Sequence, residues 1–174
     1  LLTNSAWISI AIFGSLPFIL SDIDMSFVDA FFESTSGITT TGATVIENLE
    51  AKSHGILIWR ALLQWLGGVG IIVMALAVLP MLSIGGMQLF KTESYETPDK
   101  VVPKAASFAA GISIVYITLT VIWAFMLWGA GMPTFDSIAH AMTTLATGGY
   151  STKSESLAAF NSSTIEIIII FGML

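Results

Sequence analysis

Two stretches of this chain, Leu1–Leu20 and Ala105–Met132, contain no charged residue, and a third, Ile56–Leu82, contains only Arg60. A hydrocarbon layer about 30 Å thick is crossed by roughly 20 apolar residues in helical form, so each stretch is long enough to span a bilayer. Composition agrees: 55% of residues are hydrophobic, 10% are charged and the mean hydropathy is +0.85. An ordinary soluble domain is about a quarter charged. The net charge of −6 argues against nucleic acid, whose phosphates call for clustered Lys and Arg. With no cysteine there is no disulfide framework or thiolate chemistry. The first stretch lacks the basic start and small-residue cleavage site of a signal peptide. The chain opens inside one apolar run and closes inside another, Thr164–Leu174, so it reads as a piece cut from a longer protein.

The connections differ in kind. Ser83–Lys104 is polar, with Lys91, Glu93, Glu96, Asp99, Lys100 and Lys104, and reads as a water-exposed loop. The other two each begin with a segment too short to span, Ser26–Ser36 and Thr134–Leu145. Each then enters a Thr/Gly tract, TTTGATV from Thr39 and ATGGYST from Ala146. Apolar segments of about 10–14 residues fit a re-entrant or interfacial helix.

These two halves repeat. Gly149 lies 107 residues after Gly42, and at that spacing Phe18 falls on Phe125, Asp29 on Asp136, Thr40 on Thr147 and Ile58 on Ile165 without a gap. An even number of crossings separates the copies, so they are parallel repeats, suited to surrounding an axis along the membrane normal. The expected fold is an all-α membrane protein of tandem helix–re-entrant loop–helix units. Residues 1–82 form the first, 83–104 a loop, and 105–174 a second unit truncated in its last span.

Irregular backbone at membrane depth is tolerated only where protein or a water-filled cavity satisfies its polar groups. A Thr/Gly tract after a half-helix does this when its carbonyls replace the hydration shell of a cation. Glycine permits the positive φ that aims carbonyls inward, and β-branched Thr favours extended backbone. Thr39–Val45 and Ala146–Thr152 carry no carboxylate, which suits a monovalent rather than a divalent ion. Asp22, Asp24, Asp29, Glu33, Glu47, Glu50, Asp136 and Glu155 make the expected mouths acidic, which concentrates cations. Asp29 and Asp136 also read as helix N-caps.

The tracts, the run FFESTSGITTTGATV and the junction LPMLSIGGMQLFKTES resemble the Trk/Ktr/HKT superfamily of potassium transporters, most closely its bacterial TrkH branch. The resemblance covers essentially the whole chain. It implies a channel-like pore of four repeats, of which this sequence holds the first and most of the second. Thr40, Thr41, Gly42, Ala43 and Thr44 would form one quarter of a potassium selectivity filter. Ala146, Thr147, Gly148, Gly149 and Tyr150 would form another. Gly149 aligns with Gly42, and Gly148 stays open as the key glycine. No cofactor is implied beyond potassium as the transported ion. The family further implies a homodimer, multi-pass in the inner membrane of a bacterium, with a cytosolic nucleotide-binding ring as regulator. Its filter loops enter from outside, which puts the 83–104 loop in the cytoplasm; the basic residues alone give no orientation.

Other residues read more plainly. Gly67, Gly68 and Gly70 fit close helix packing rather than a gating hinge. Trp59, Trp65, Trp123 and Trp128 fit interface anchoring or packing. Arg60 would snorkel to the headgroups, His140 would be a satisfied buried histidine, and Glu166 would lie near the headgroups. A sodium-permeable or ion-coupled carrier of the same superfamily is the competing function. An intramembrane enzyme is a remote one, since the chain has no HExxH, no GxSxG and no Cys, and its two histidines lie in different repeats.

Overall fold

The computed structural model describes residues 2–78 and 101–174, with side chains over 4–72 and 110–174. All the regular structure among them is helical. Each repeat supplies a long helix, a short one and a further helix: α1 (Leu2–Ile19), α2 (Phe27–Ile38) and α3 (His54–Val78), then α4 (Val101–Gly129), α5 (Thr134–Leu145) and α6 (Ser163–Met173). At the 107-residue spacing α2 and α5 coincide end to end. Two helices, over His54–Ile72 and Ala110–Gly129, are long and apolar enough to cross a membrane, and α1 and α6 are shorter apolar helices. Residues 83–100 of the expected loop lie outside the described residues. Val101–Lys104 form the first turn of α4, so that helix starts earlier than expected. Pro103 is compatible with this, because first-turn N–H groups have no intrahelical partner.

The short helices show why this sequence belongs in lipid. α2 buries Ala30, Glu33, Ser34 and Gly37, while Phe27, Val28 and Phe32 face outward. α5 buries Asp136, Ser137, His140, Thr143 and Thr144 and exposes Ile138. Phe13 on α1, Ile114 and Phe125 on α4 and Ile170 on α6 are exposed as well. Polar groups inside and large apolar groups outside is the arrangement a bilayer stabilises, because buried polar groups find partners only within the protein.

Ser26, not Asp29, caps α2: its Oγ accepts from the Asp29 amide and donates to the Asp29 carboxylate. Pro133 holds the corresponding place before α5. Asp29 and Asp136 therefore stand one turn inside, where a negative charge still favours the helix N-terminus.

α1 packs on α2 and α4 on α5, while α3 packs against both short helices and so joins the repeats. Gly67 makes this approach possible, since a Cβ there would overlap the Ile38 carbonyl at the end of α2. Gly68 lies against the Tyr116 hydroxyl of α4 and against Ala146, at the end of α5. Gly70 has open space around it. Trp59, Trp65 and Trp123 donate inward, to the Gly14 carbonyl, the Thr120 hydroxyl and the Ile168 carbonyl, so these three pack; Trp128 is exposed.

Candidate functional site

Both short helices end in the same turn. Thr40 has φ 55° and Thr147 φ 53°, the left-handed region that a β-branched residue seldom enters. The Thr40 and Thr41 amides donate back to the Gly37 and Ser36 carbonyls at 2.9 Å each, and Thr147 and Gly148 donate to Thr144 and Thr143 at 2.9 Å each. These paired bonds form a Schellman motif, usually completed by glycine. Threonine in its place costs on the order of 1–2 kcal/mol. Strain kept at a matching position in both copies points to a functional segment. Two residues on, Gly42 has φ 80° and Gly149 φ 79°.

The tracts lie side by side. A Cβ on Gly42 would run into the Gly148 carbonyl oxygen. In the first tract Thr41, Ala43 and Thr44 are exposed, with Thr40 and Gly42 half-buried. In the second, Thr147 and Gly149 are exposed, whereas Ala146, Gly148 and Tyr150 are buried. Of the two candidate glycines, Gly149 shares the conformation of Gly42 and is exposed, where Gly42 is half-buried. Gly148 is turned into the protein.

Behind the tracts lies a polar core that sequence reasoning misplaced. Glu33 was expected at an acidic mouth and Arg60 at the headgroups, yet Glu33 is 0% and Arg60 1% exposed, joined at 2.7 Å. The Glu33 carboxylate also accepts from the Thr44 hydroxyl at 2.9 Å and the Val45 amide at 3.1 Å, which pins the exit of the first tract. Arg60 donates to the Ser151 carbonyl at 3.0 Å and lies 4.1 Å over the Tyr150 ring. The Tyr150 hydroxyl donates to the Glu33 carbonyl at 2.8 Å. One buried ion pair thus ties both tracts to α2 and α3. At the site equivalent to Glu33 stands His140, which meets the Asp136 carbonyl at 2.8 Å and the Ser151 hydroxyl at 3.1 Å. It is a satisfied buried histidine, as expected. Asp136 is buried too, accepting from the Thr152 hydroxyl at 2.6 Å, and Lys153 lies 3.9 Å from it. Asp136 therefore does not front an open mouth.

A signal for this core was available. Arg60 and Gln64 interrupt an apolar span, and their repeat counterparts are Ile167 and Phe171. A lone polar pair that one copy carries and the other lacks marks a contact made once.

On the side where the tracts exit, Glu50 accepts from the Ser154 hydroxyl and the Ser154 amide, each at 2.7 Å. These bonds, the hydroxyl first, hold the Glu50 carboxyl below the usual glutamate range. Glu47 and Asp22 are exposed as well.

A family model described as TrkH, cation transport protein, matches residues 1–174. The chain is 46% identical over 171 residues to the Trk system potassium uptake protein TrkH of Salmonella typhimurium, covering 97% of this chain and 35% of that protein. It is 44% identical to the Trk system potassium uptake protein TrkI of Halomonas elongata, over 91% of this chain and 32% of the relative. Among solved structures, the crystal structure of the potassium transporter TrkH from Vibrio parahaemolyticus superposes with a TM-score of 0.82 at 42% identity. It covers 95% of this chain and 33% of that one. The chain spans about a third of the length of the curated relatives it matches.

Proposed function

The chain belongs to the TrkH family of cation transport proteins, and from that premise we propose that the whole protein takes up potassium through a channel-like pore. In this reading the tracts of this chain form two quarters of its selectivity filter. The observation that carries it is the repeated turn: a strained Thr and a left-handed Gly at matching places, with Gly42 set against Gly148 of the neighbouring tract. The remaining quarters belong to the part of the protein beyond the third that this chain represents.

Potassium holds its water less tightly than sodium does. A ring of carbonyl dipoles of moderate strength replaces that shell more completely for potassium. The short helices enter and leave on one side of the bilayer, and their C-terminal ends add negative potential toward the ion. Residues 83–104 face the cytoplasm. The protein works as a homodimer in a bacterial inner membrane, where a cytosolic nucleotide-binding ring regulates it; these last features follow the family resemblance.

The test is the potassium-to-sodium permeability ratio of the full-length protein, from reversal potentials under bi-ionic conditions. Gly42→Ser forces a side chain onto a backbone of φ 80° and against the Gly148 carbonyl. It should lower the ratio about tenfold, equivalent to about 1.4 kcal/mol. Gly149→Ser should act in the same direction. An unchanged ratio in both well-expressed variants would remove these tracts from the filter.

A further inference from the structure

Gln64, on the buried face of α3, reaches across the repeat boundary to the backbone of the second tract. Its Nε2 donates to the Gly148 carbonyl at 2.9 Å, and its Oε1 accepts from the Tyr150 amide at 3.1 Å. The two bonds straddle Gly149. Gly148 suits this approach because a Cβ there would overlap the Gln64 carboxamide.

We propose that Gln64 is a selectivity-positioning residue, whose carboxamide clamps the peptide planes on both sides of Gly149 and so sets how the second tract faces the ion. The inference rests on reading the tracts as a filter. A carboxamide is suited to the role because it offers a donor and an acceptor about 2 Å apart, so one planar group serves a carbonyl and an amide at once. A buried backbone amide left unpaired would be costly, so the bridge also restricts alternative turns at Gly149. The Gly148 carbonyl held by Gln64 is the atom that abuts Gly42, so the clamp fixes the seam between the tracts as well.

Among the described residues the clamp is made once. The counterpart of Gln64 is Phe171, 67% exposed and without a hydrogen-bonding side chain. The first tract is held instead by Glu33 through Thr44 and Val45. Gln64 therefore acts on one quarter of the ring, and its loss should degrade selectivity without closing the path.

The experiment compares Gln64→Met, Gln64→Glu and Gly149→Ser in the full-length protein. Gln64→Met keeps the reach and loses both bonds; a severalfold fall in the potassium-to-sodium ratio is expected, with potassium current retained. In Gln64→Glu the ionised carboxylate accepts from the Tyr150 amide but cannot donate to Gly148, so the ratio falls at high pH. Protonation restores an O–H beside a C=O, so the ratio should recover as pH is lowered, by more than any change in the wild type. The wild-type control absorbs the neighbouring ionisable groups: Arg60 on α3, Glu33 on α2, His140 and Asp136 on α5, Tyr116 on α4, and Tyr150. A ratio unchanged in both Gln64 variants while Gly149→Ser lowers it overturns the clamp and leaves the filter standing. If Gly149→Ser is also silent, the filter reading falls first. A pH-independent defect in Gln64→Glu, or loss of folded protein in both Gln64 variants, would make the residue merely structural and also overturn the proposal.

Discussion

Glu33 and Arg60 illustrate how a single pair of residues can govern a larger site. Each is removed from water, and each is stabilised by the other together with hydroxyl, amide and carbonyl partners from the tracts. Taking away one partner strands a charge in a low-dielectric interior, which typically costs about 3–5 kcal/mol. Arg60→Met should therefore sharply lower the melting temperature of the purified full-length protein. Arg60→Met combined with Glu33→Gln should recover much of that loss, because no bare carboxylate remains. If the double variant is as unstable as the two single losses added together, the pair is not coupled and the ion-pair account fails.

The elements make contact through places where side chains are missing. α3 reaches the end of α2 at Gly67, and the atom it meets is a backbone carbonyl, that of Ile38. A carbonyl fixed in a helix cannot swing aside as the tip of a lysine would. Gly67→Ala should force the two helices apart and cost about 1–3 kcal/mol, the usual range for overpacking. Gly70→Ala, three residues on with open space around it, is the matched control and should be close to neutral. Thermal unfolding in detergent or nanodiscs separates the two. Equal effects would mean that helix propensity, not the contact with Ile38, decides the outcome. The same geometry explains why Gly67 and Gly68 read correctly as packing positions, while Gly70 meets nothing among the described residues: small residues allow helices to approach where lipid gives no hydrophobic push.

Across the molecule, charge is sorted by depth. Glu33 and Asp136 are buried and partnered, whereas Asp22, Asp24, Asp29, Glu47, Glu50 and Glu155 are exposed. Because its carboxyl sits below the usual glutamate range, Glu50 stays ionised into mildly acidic solution. Its link to Ser154 is fully present above that usual range and is lost as pH falls through the depressed value. If these carboxylates concentrate cations, neutralising Asp22, Glu47 and Glu50 together should reduce conductance more at low ionic strength than at high, where a Debye length of a few ångströms already screens them. An equal reduction at both strengths would leave them as ordinary solvated side chains.

Much of this was legible in the sequence, and for a definite reason. Helix lengths, the bilayer environment and the 107-residue repeat depend on local periodicity and on hydrophobicity, which each residue carries with it. The positive φ at Gly42 and Gly149 follows from the same local pattern, whereas left-handed Thr40 and Thr147 depart from the extended backbone that β-branching favours. What tertiary structure alone decided is which polar residues turn inward. Arg60 has the reach to snorkel to the headgroups and Glu33 the charge to line a mouth. Only packing α3 between α2 and α5 brings them to 2.7 Å, over the Tyr150 ring. The contact from Gln64 to Gly148 and Tyr150 spans more than eighty residues, so the broken repeat could mark Gln64 as singular but could not name its partners. Burial energies of polar groups depend on partners, and partners distant in sequence exist only once the chain has folded.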